Sequence, residues 1–352
     1  MSQVTLMESE VQESSKIIEK QLKANLEIFS AIVSRLKKEP PPFIATIARG
    51  SSDHAASFAK YAFETHLGIL TSTISPSVHT LYKAKLNYKN ALIICISQSG
   101  KSEDLIESLS YARQHGAVTL SFINEENTPL AKASEFNIPL LADKEKSVAA
   151  TKSYIASLVR IVQFIAEWTF NGELKQYLKD LPTILNTKKN YLIEPAIEKF
   201  KSAQNILVIG RGYGFPIAME AALKLKETCG LHAEAFSGAE VLHGPFELIQ
   251  KDYPVLIFLQ KDATYQTMLD LIKKIDEKNA QMIICGAHNI LNFSDLNLKN
   301  QPILMPTANS IYPLCDCISL IHTFYPFAAK LAIARGRDPD NPTNLTKVTN
   351  TR

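Results

Sequence analysis

The chain has 352 residues, 46% of them hydrophobic and 21% charged, with a formal net charge of +3. That length suits two domains of roughly 150 residues, each able to bury its own core. So small a charge excludes the dense basic surface that nucleic acid or an anionic membrane calls for, and leaves a small molecule as the expected partner.

The first residues, Met1 to Leu22, mix acids and amides with scattered apolar residues, which predicts an amphipathic helix and no signal-peptide core. No apolar run is expected to reach the roughly 18 residues that span a bilayer. Arg160, Glu167 and Lys330 interrupt the most apolar stretches, so a cytoplasmic location is expected. Cys95, Cys229, Cys285, Cys315 and Cys317 are odd in number and lie in or beside apolar runs, which predicts packed, reduced thiols. Cys315-Asp316-Cys317 lacks the spacing of a zinc half-site, and no metal is expected there.

Short β-branched runs recur over Phe43 to Ala48, Ala91 to Ser97, Val118 to Ile123, Asn205 to Gly210, Pro254 to Leu259 and Gln281 to Cys285. Continuous apolar runs of this length predict strands buried on both faces. Helical patterns such as Ser102 to His115 and Pro216 to Thr228 separate them, so the chain reads as α/β with two doubly wound parallel sheets. The segment from Ile47 aligns without gaps to the segment from Ile209, pairing Arg49 with Arg211, Gly50 with Gly212, Ala56 with Ala218, Ala59 with Ala221 and Gly68 with Gly230. One constant offset through a strand, a glycine turn and a helix points to a duplicated domain. The predicted organisation is an N-terminal helical segment over 1–37, a first domain over 38–165, a helical linker over 166–200, a second domain over 201–335 and a tail over 336–352.

Ser97-Gln98-Ser99-Gly100-Lys101-Ser102 follows a predicted strand and opens a predicted helix. Hydroxyls, a glycine and the unpaired N–H groups of a helix start meet the physical requirement for holding a phosphate, and Lys101 adds charge. A plain helix cap on Ser99 or Ser102 is the competing reading. Arg49-Gly50-Ser51-Ser52 ends the first strand in the equivalent place, so the two turns are expected to share one crevice. Ser147 to Ser153 is read as the start of a further helix whose small residues admit a ligand to the backbone.

In the second half, Lys224 and Glu227 stand three residues apart on one helix face, followed by His232, Glu234 and the polar turn Gly238 to Pro245 that carries His243. A histidine that titrates near neutrality suits proton transfer, although a structural role is the commoner one. Gly210-Arg211-Gly212-Tyr213-Gly214 is spaced wrongly for a dinucleotide fingerprint and reads as a tight turn. Asp338 to Lys347 is rich in turn formers and reads, on composition, as a frayed tail.

Taken together, SQSGKSEDL, SVAATKSY, GRG followed by ALKLKE, HAEAFSGAEVLHGP and NPTNLTK resemble the sugar isomerase (SIS) domain family over nearly the whole chain. The likeness is to the isomerase half of glucosamine-6-phosphate synthase, with ARGSSDHAASFAKY, SPSVHTLY and the ending KVTNTR most like the stand-alone glucosamine-6-phosphate deaminase branch. The resemblance implies two flavodoxin-like domains in tandem and no cofactor. It also implies a phosphorylated sugar as ligand and a homodimer or higher homo-oligomer. By resemblance, Ser51, Ser52, Ser97, Gln98, Ser99 and Ser102 hold the sugar phosphate, while Val148 and Thr346 line the sugar site. Glu227 is the implied base between C1 and C2, Lys224 neutralises the enediol-like intermediate, Lys347 forms an imine with the open-chain carbonyl, and His243 assists ring opening from a neighbouring subunit.

Arg49 stands where the synthase has a small residue, and Ala150 where it has a hydroxyl, which puts the C1 to C3 end of the substrate in doubt. A chain that starts at the first helix, without a glutamine-hydrolysing domain, is expected to convert glucosamine 6-phosphate and water to fructose 6-phosphate and ammonia. The rivals are a fructosamine-6-phosphate deglycase or another phosphosugar isomerase and, from a different class, a non-catalytic sugar-phosphate sensor.

Overall fold

The computed structural model describes residues 4–24, 27–187 and 193–347 and divides into two compact units. One unit comprises Ser14–Glu145, Lys152–Pro182 and the segment from Thr346; the other comprises the chain up to Glu13, Lys146–Thr151 and Thr183–Leu345. The ends of the expected first helix and of the tail motif, residues 1–3 and 348–352, lie outside the described residues, as do 188–192 of the expected linker.

The unit that begins at Ser14 is built on strands β1 (Ile44–Ile47), β2 (Thr71–Thr73), β3 (Leu92–Ser97), β4 (Val118–Ile123) and β5 (Phe136–Pro139). All pair in parallel, in the order β2-β1-β3-β4-β5. One face of this sheet packs Ile47, Ile93 and Cys95 against Leu105, Leu109 and Ala112 of helix Glu103–Gln114. Phe164 on helix Lys152–Trp168 organises another cluster, with ring centroids 6.3 Å from Phe29, 6.1 Å from Phe63 and 6.2 Å from Phe122.

The other unit repeats the plan with β6 (Asn205–Gly210), β7 (His232–Ser237), β8 (Pro254–Leu259), β9 (Gln281–Ala287) and β10 (Ile303–Thr307), in the parallel order β10-β9-β8-β6-β7. Ile257 and Leu259 face Met268, Leu271 and Ile275 of helix Tyr265–Glu277, while Phe258 lies 5.8 Å from Phe324 of helix Pro313–Ala334. That alternation is what a strand covered on both sides produces.

The duplication read from the sequence is present in three dimensions. Gly50 and Gly212 both turn the chain with positive φ, +55° and +56°, and Gly68 and Gly230 both end the following helix in the left-handed conformation. The same offset carries β3 onto β8.

Several expectations need correction. The helical segment expected over 1–37 is present as helices Leu6–Gln12, Ser14–Lys23 and Glu27–Lys38, but the single helix read over Met1 to Leu22 is interrupted at Glu13. Ser147 to Thr151 is irregular and the helix starts only at Lys152, because the carboxylate of Glu10 takes the N–H groups of Lys146 and Ser147, and the carbonyl of Asp340 takes that of Val148. Far from fraying, the tail is tied back where the Asp340 carboxylate accepts the N–H groups of Leu6 and Met7, both at 2.8 Å. Helix Pro313–Ala334 is, at 22 residues, long and apolar enough to cross a membrane, and most of it is buried within its own unit. All five cysteines are buried, and none forms a disulfide among the described residues.

Candidate functional site

In a sheet of order 2-1-3-4-5 the connections leave β1 and β3 in opposite directions, which opens a crevice beyond their carboxyl ends. The two hydroxyl-rich turns end those two strands. Gly50, at φ +55°, swings the chain from β1 into helix Ser51–Leu67, so Ser51 and Ser52 stand on its first turn, both partly exposed. From the end of β3, Ser97 accepts the N–H of Gly100 at 3.1 Å and Ser99 that of Lys101 at 3.4 Å. A serine that accepts through its oxygen still has its own hydrogen to donate. Gly100 lies at φ +64°, and a Cβ there would collide with Thr128 and Ile123. Gln98 is partly exposed, and Ser102 caps helix Glu103–Gln114 through its backbone, with no side-chain capping bond. The plain-cap reading of Ser102 is therefore not what the side chain does. Lys101 pairs on the surface with Glu125 at 2.8 Å.

Arg49 has a local role that the sequence did not disclose. Its Nε and Nη2 donate to one carboxylate oxygen of buried Asp104, at 3.0 and 2.7 Å, tying the end of β1 to the first turn of helix Glu103–Gln114. The guanidinium remains half-exposed beside Ser51.

Lys347 is held in the same unit by Glu145, whose carboxylate is fully buried and 2.7 Å from Nζ. Ser153 also donates to that carboxylate, through its hydroxyl at 2.9 Å and its backbone N–H at 3.2 Å. An ammonium paired this way has no lone pair for a carbonyl, so imine formation requires Lys347 to leave Glu145 and give up a proton. Thr346 beside it is exposed.

The second unit supplies the acid–base cluster. Helix Gly214–Cys229 places Glu220, Lys224 and Glu227 on one face. Lys224 is 1% exposed and sits between Glu220, 3.5 Å away and sealed from solvent, and Glu227, which it contacts directly and which keeps 22% of its side chain exposed. Tyr325 donates its hydroxyl to Glu220 at 3.1 Å. Sequence reasoning found Lys224 and Glu227 and missed Glu220 and Tyr325. The four-residue step from Glu220 to Lys224 was a usable signal, whereas Tyr325, from another helix, offered none.

The remaining expected residues are dispersed within that unit. Val148 is partly buried beside Asp340. His243 ends the short turn Val241–His243 with its side chain exposed. His232 and Glu234 point outward from the edge strand β7, with no link to the Lys224 cluster among the described residues. The crevice at β6 and β8 carries no phosphate cradle: Gly210 packs so tightly on the Gly214 carbonyl that a side chain would collide, and Asp262 stands where the first unit has Gly100. Asp262 accepts both the hydroxyl and the N–H of Thr264, and its carboxylate repels a phosphate. Among the described residues no group of three or more His, Cys, Asp or Glu stands ready for a metal.

The family described as "SIS domain" matches residues 42–167 and 199–316. The glutamine–fructose-6-phosphate aminotransferase (isomerizing) of Thermotoga maritima is 31% identical over 91% of this chain and 56% of its own length. That of Aquifex aeolicus is 32% identical over 97% of this chain and 57% of its own. This chain thus spans little more than half the length of these curated relatives. A Silicibacter pomeroyi structure named as a phosphosugar isomerase superposes with a TM-score of 0.87 at 33% identity, over 96% of this chain and 100% of that one. At 22% identity, the glucosamine-6-phosphate deaminase structure from Thermotoga maritima shares the fold, with a TM-score of 0.71 over 96% of this chain and 100% of its own.

Proposed function

Because the chain belongs to the SIS domain family, with phosphosugar isomerases among its relatives, we propose that it interconverts C1 and C2 of a phosphorylated amino sugar, as a glucosamine-6-phosphate deaminase. The observation that carries this reading is Glu227, a carboxylate still open to solvent that rests on a lysine sealed from it. A base must reach its substrate, while the cation that steadies developing negative charge acts most strongly where water is absent.

In this reading the Ser51–Ser52 and Ser97–Ser102 turns hold the phosphate dianion. Glu227 moves a proton from C2 of the open-chain sugar to C1 while the amine gives up a proton and O1 gains one, so that the C1 aldehyde becomes an alcohol and the C2 amine an imine. Lys224 balances the charge of the enediol-like intermediate, and Glu220 with Tyr325 holds Lys224 in place. Water then adds at C2 and ammonia leaves, giving fructose 6-phosphate. Lys347, freed from Glu145, engages the C2 carbonyl of open-chain fructose 6-phosphate, losing water as the imine forms and taking it up again on hydrolysis, and Val148 and Thr346 line the sugar. His243 assists ring opening as a donor from the partner of a homodimer. Support for the amino sugar comes from the two aminotransferases, which are named for fructose 6-phosphate and match across nearly all of this chain.

One observation favours a second substrate. Arg49 presents a half-exposed guanidinium beside Ser51, which suits the carboxylate of an amino acid joined to fructose 6-phosphate, the substrate of a deglycase. Ammonia and fructose 6-phosphate release from glucosamine 6-phosphate, measured for wild type, Glu227→Gln and Lys347→Ala, decides the matter. Turnover that Glu227→Gln lowers by about 10²-fold or more is the expected result. Turnover only on the amino-acid adduct would select the deglycase, and phosphosugar binding without turnover of either would leave a sensor.

A further inference from the structure

Arg160 is the largest fully buried side chain among the described residues and belongs to no part of the site described above. Within the unit that begins at Ser14 it is 1% exposed, and the described residues offer its charge no carboxylate partner. Its Nε donates to the Pro139 carbonyl at 2.9 Å, and its Nη1 donates to the Gln21 carbonyl at 3.0 Å and to Gln163 Oε1 at 2.6 Å. Nη2 has no acceptor among the described residues. Arg160 lines a cavity of about 530 Å³ beside the edge strand β5, with Asn137 and Glu27 as further polar lining and Ile28, Phe29, Ile138 and Leu141 among its apolar walls. None of the cradle serines lines it.

A guanidinium held out of water without a counter-charge is costly unless an anion joins it. We propose that this cavity binds a small organic carboxylate, its head on Nη2 of Arg160 and its apolar body against Ile28, Phe29, Ile138 and Leu141. The volume falls in the range of small-molecule sites, roughly 300–1,000 Å³. A monoanion suits it better than a phosphate dianion, because one N–H₂ group remains to be shared and Glu27 at the rim opposes further negative charge. Asn137 is already committed, donating to the Ala131 carbonyl and accepting from Ser134. Burial lowers the guanidinium's pKa only to about 10, so the charge is present at neutral pH. The anchors around it are themselves fixed: Gln21 is fully buried and donates to the carbonyls of Leu140 and Ala156, which aligns its own carbonyl on Arg160. The arrangement is preorganised in the way that binding a weakly interacting small ligand requires.

Fluorine NMR titration of the full-length protein with 4-fluorobenzoate tests this, in the presence and absence of saturating fructose 6-phosphate. The expected result is saturable binding at one site, unaffected by fructose 6-phosphate and weakened tenfold or more both in Arg160→Met and in Ala31→Trp. Ala31 is exposed at the rim, so a tryptophan there fills the cavity without disturbing the bonds of Arg160. Should Arg160→Met fail to fold, Ala31→Trp decides alone. No saturable binding to wild type, binding that survives Ala31→Trp, or competition by fructose 6-phosphate would each overturn the proposal.

Discussion

Lys224 and Glu227 differ in what each does for the fold, and the difference separates chemistry from stability. Lys224 forms an ion pair with a fully buried carboxylate, Glu220, so Lys224→Met breaks a buried pair and is expected to destabilise the protein by about 3–5 kcal/mol. Glu227 is partly solvated, so Glu227→Gln is expected to cost no more than about 1 kcal/mol while removing the proposed base. Urea unfolding of both variants checks this, and equal, small effects would mean that the fold does not depend on the Lys224–Glu220 pair. Asp316 provides a pH test. Burial raises its carboxyl to about 6, against the lowering effect of hydrogen bonds from Ser310, Ile311 and Tyr312. The folded state then binds the proton more tightly than the unfolded one, whose carboxyl stays near its ordinary 3.8. Stability on this account is greatest below about pH 4 and is lost as pH rises to about 6, by about 3 kcal/mol in total. Asp316→Asn should remove that component of the pH dependence of urea unfolding; an unchanged profile would show that Asp316 titrates alike in both states.

Among the elements, the turn at Gly100 makes the sharpest prediction. An alanine there faces both a positive φ and the side chains of Thr128 and Ile123, so the serines on either side must shift. Gly100→Ala is expected to raise KM for the sugar phosphate by about tenfold or more, with a smaller change in kcat, since in the proposed function the turn holds the phosphate and the base is Glu227. A kcat loss at unchanged KM would count against the cradle. This turn was legible from the sequence because its constraints are local: a strand, hydroxyls, a glycine and a helix start within a dozen residues. The six central strands were legible for the same reason, as runs of apolar residues. The edge strands were not. Thr71-Ser72-Thr73 is polar, β5 and β10 each contain a proline, and β7 alternates so mildly that His232 and Glu234 resembled site residues. An edge strand is paired on one side only, so it lacks the apolar signature of a buried one. Glu145, Asp104 and Tyr325 escaped notice because each acquires its meaning from a partner distant in the chain.

At the scale of the whole molecule, the repeat has diverged in function while keeping its order of strands. The first crevice has Ser97, Ser99 and Gly100 where the second has Leu259, Lys261 and Asp262, so one crevice suits a phosphate and the carboxylate of the other repels it. The proposed base Glu227, with Lys224 and Glu220, lies on the second copy. A duplicated fold divided in this way needs groups from more than one element to complete its chemistry, and the proposal that His243 serves a partner's site extends that division across subunits. Complementation measures it. Glu227→Gln and His243→Ala are each expected to be nearly inactive as separate preparations. If His243 acts across the dimer, a mixed dimer regains one site with both native residues. After subunit exchange at equal concentrations, about one quarter of wild-type activity should therefore return. If His243 acts within its own chain, every site in the mixture lacks one residue or the other, and no activity returns. Sedimentation equilibrium on the same samples must show a dimer or larger assembly, because a fully active monomer would remove the basis for a shared site whatever the mixture does.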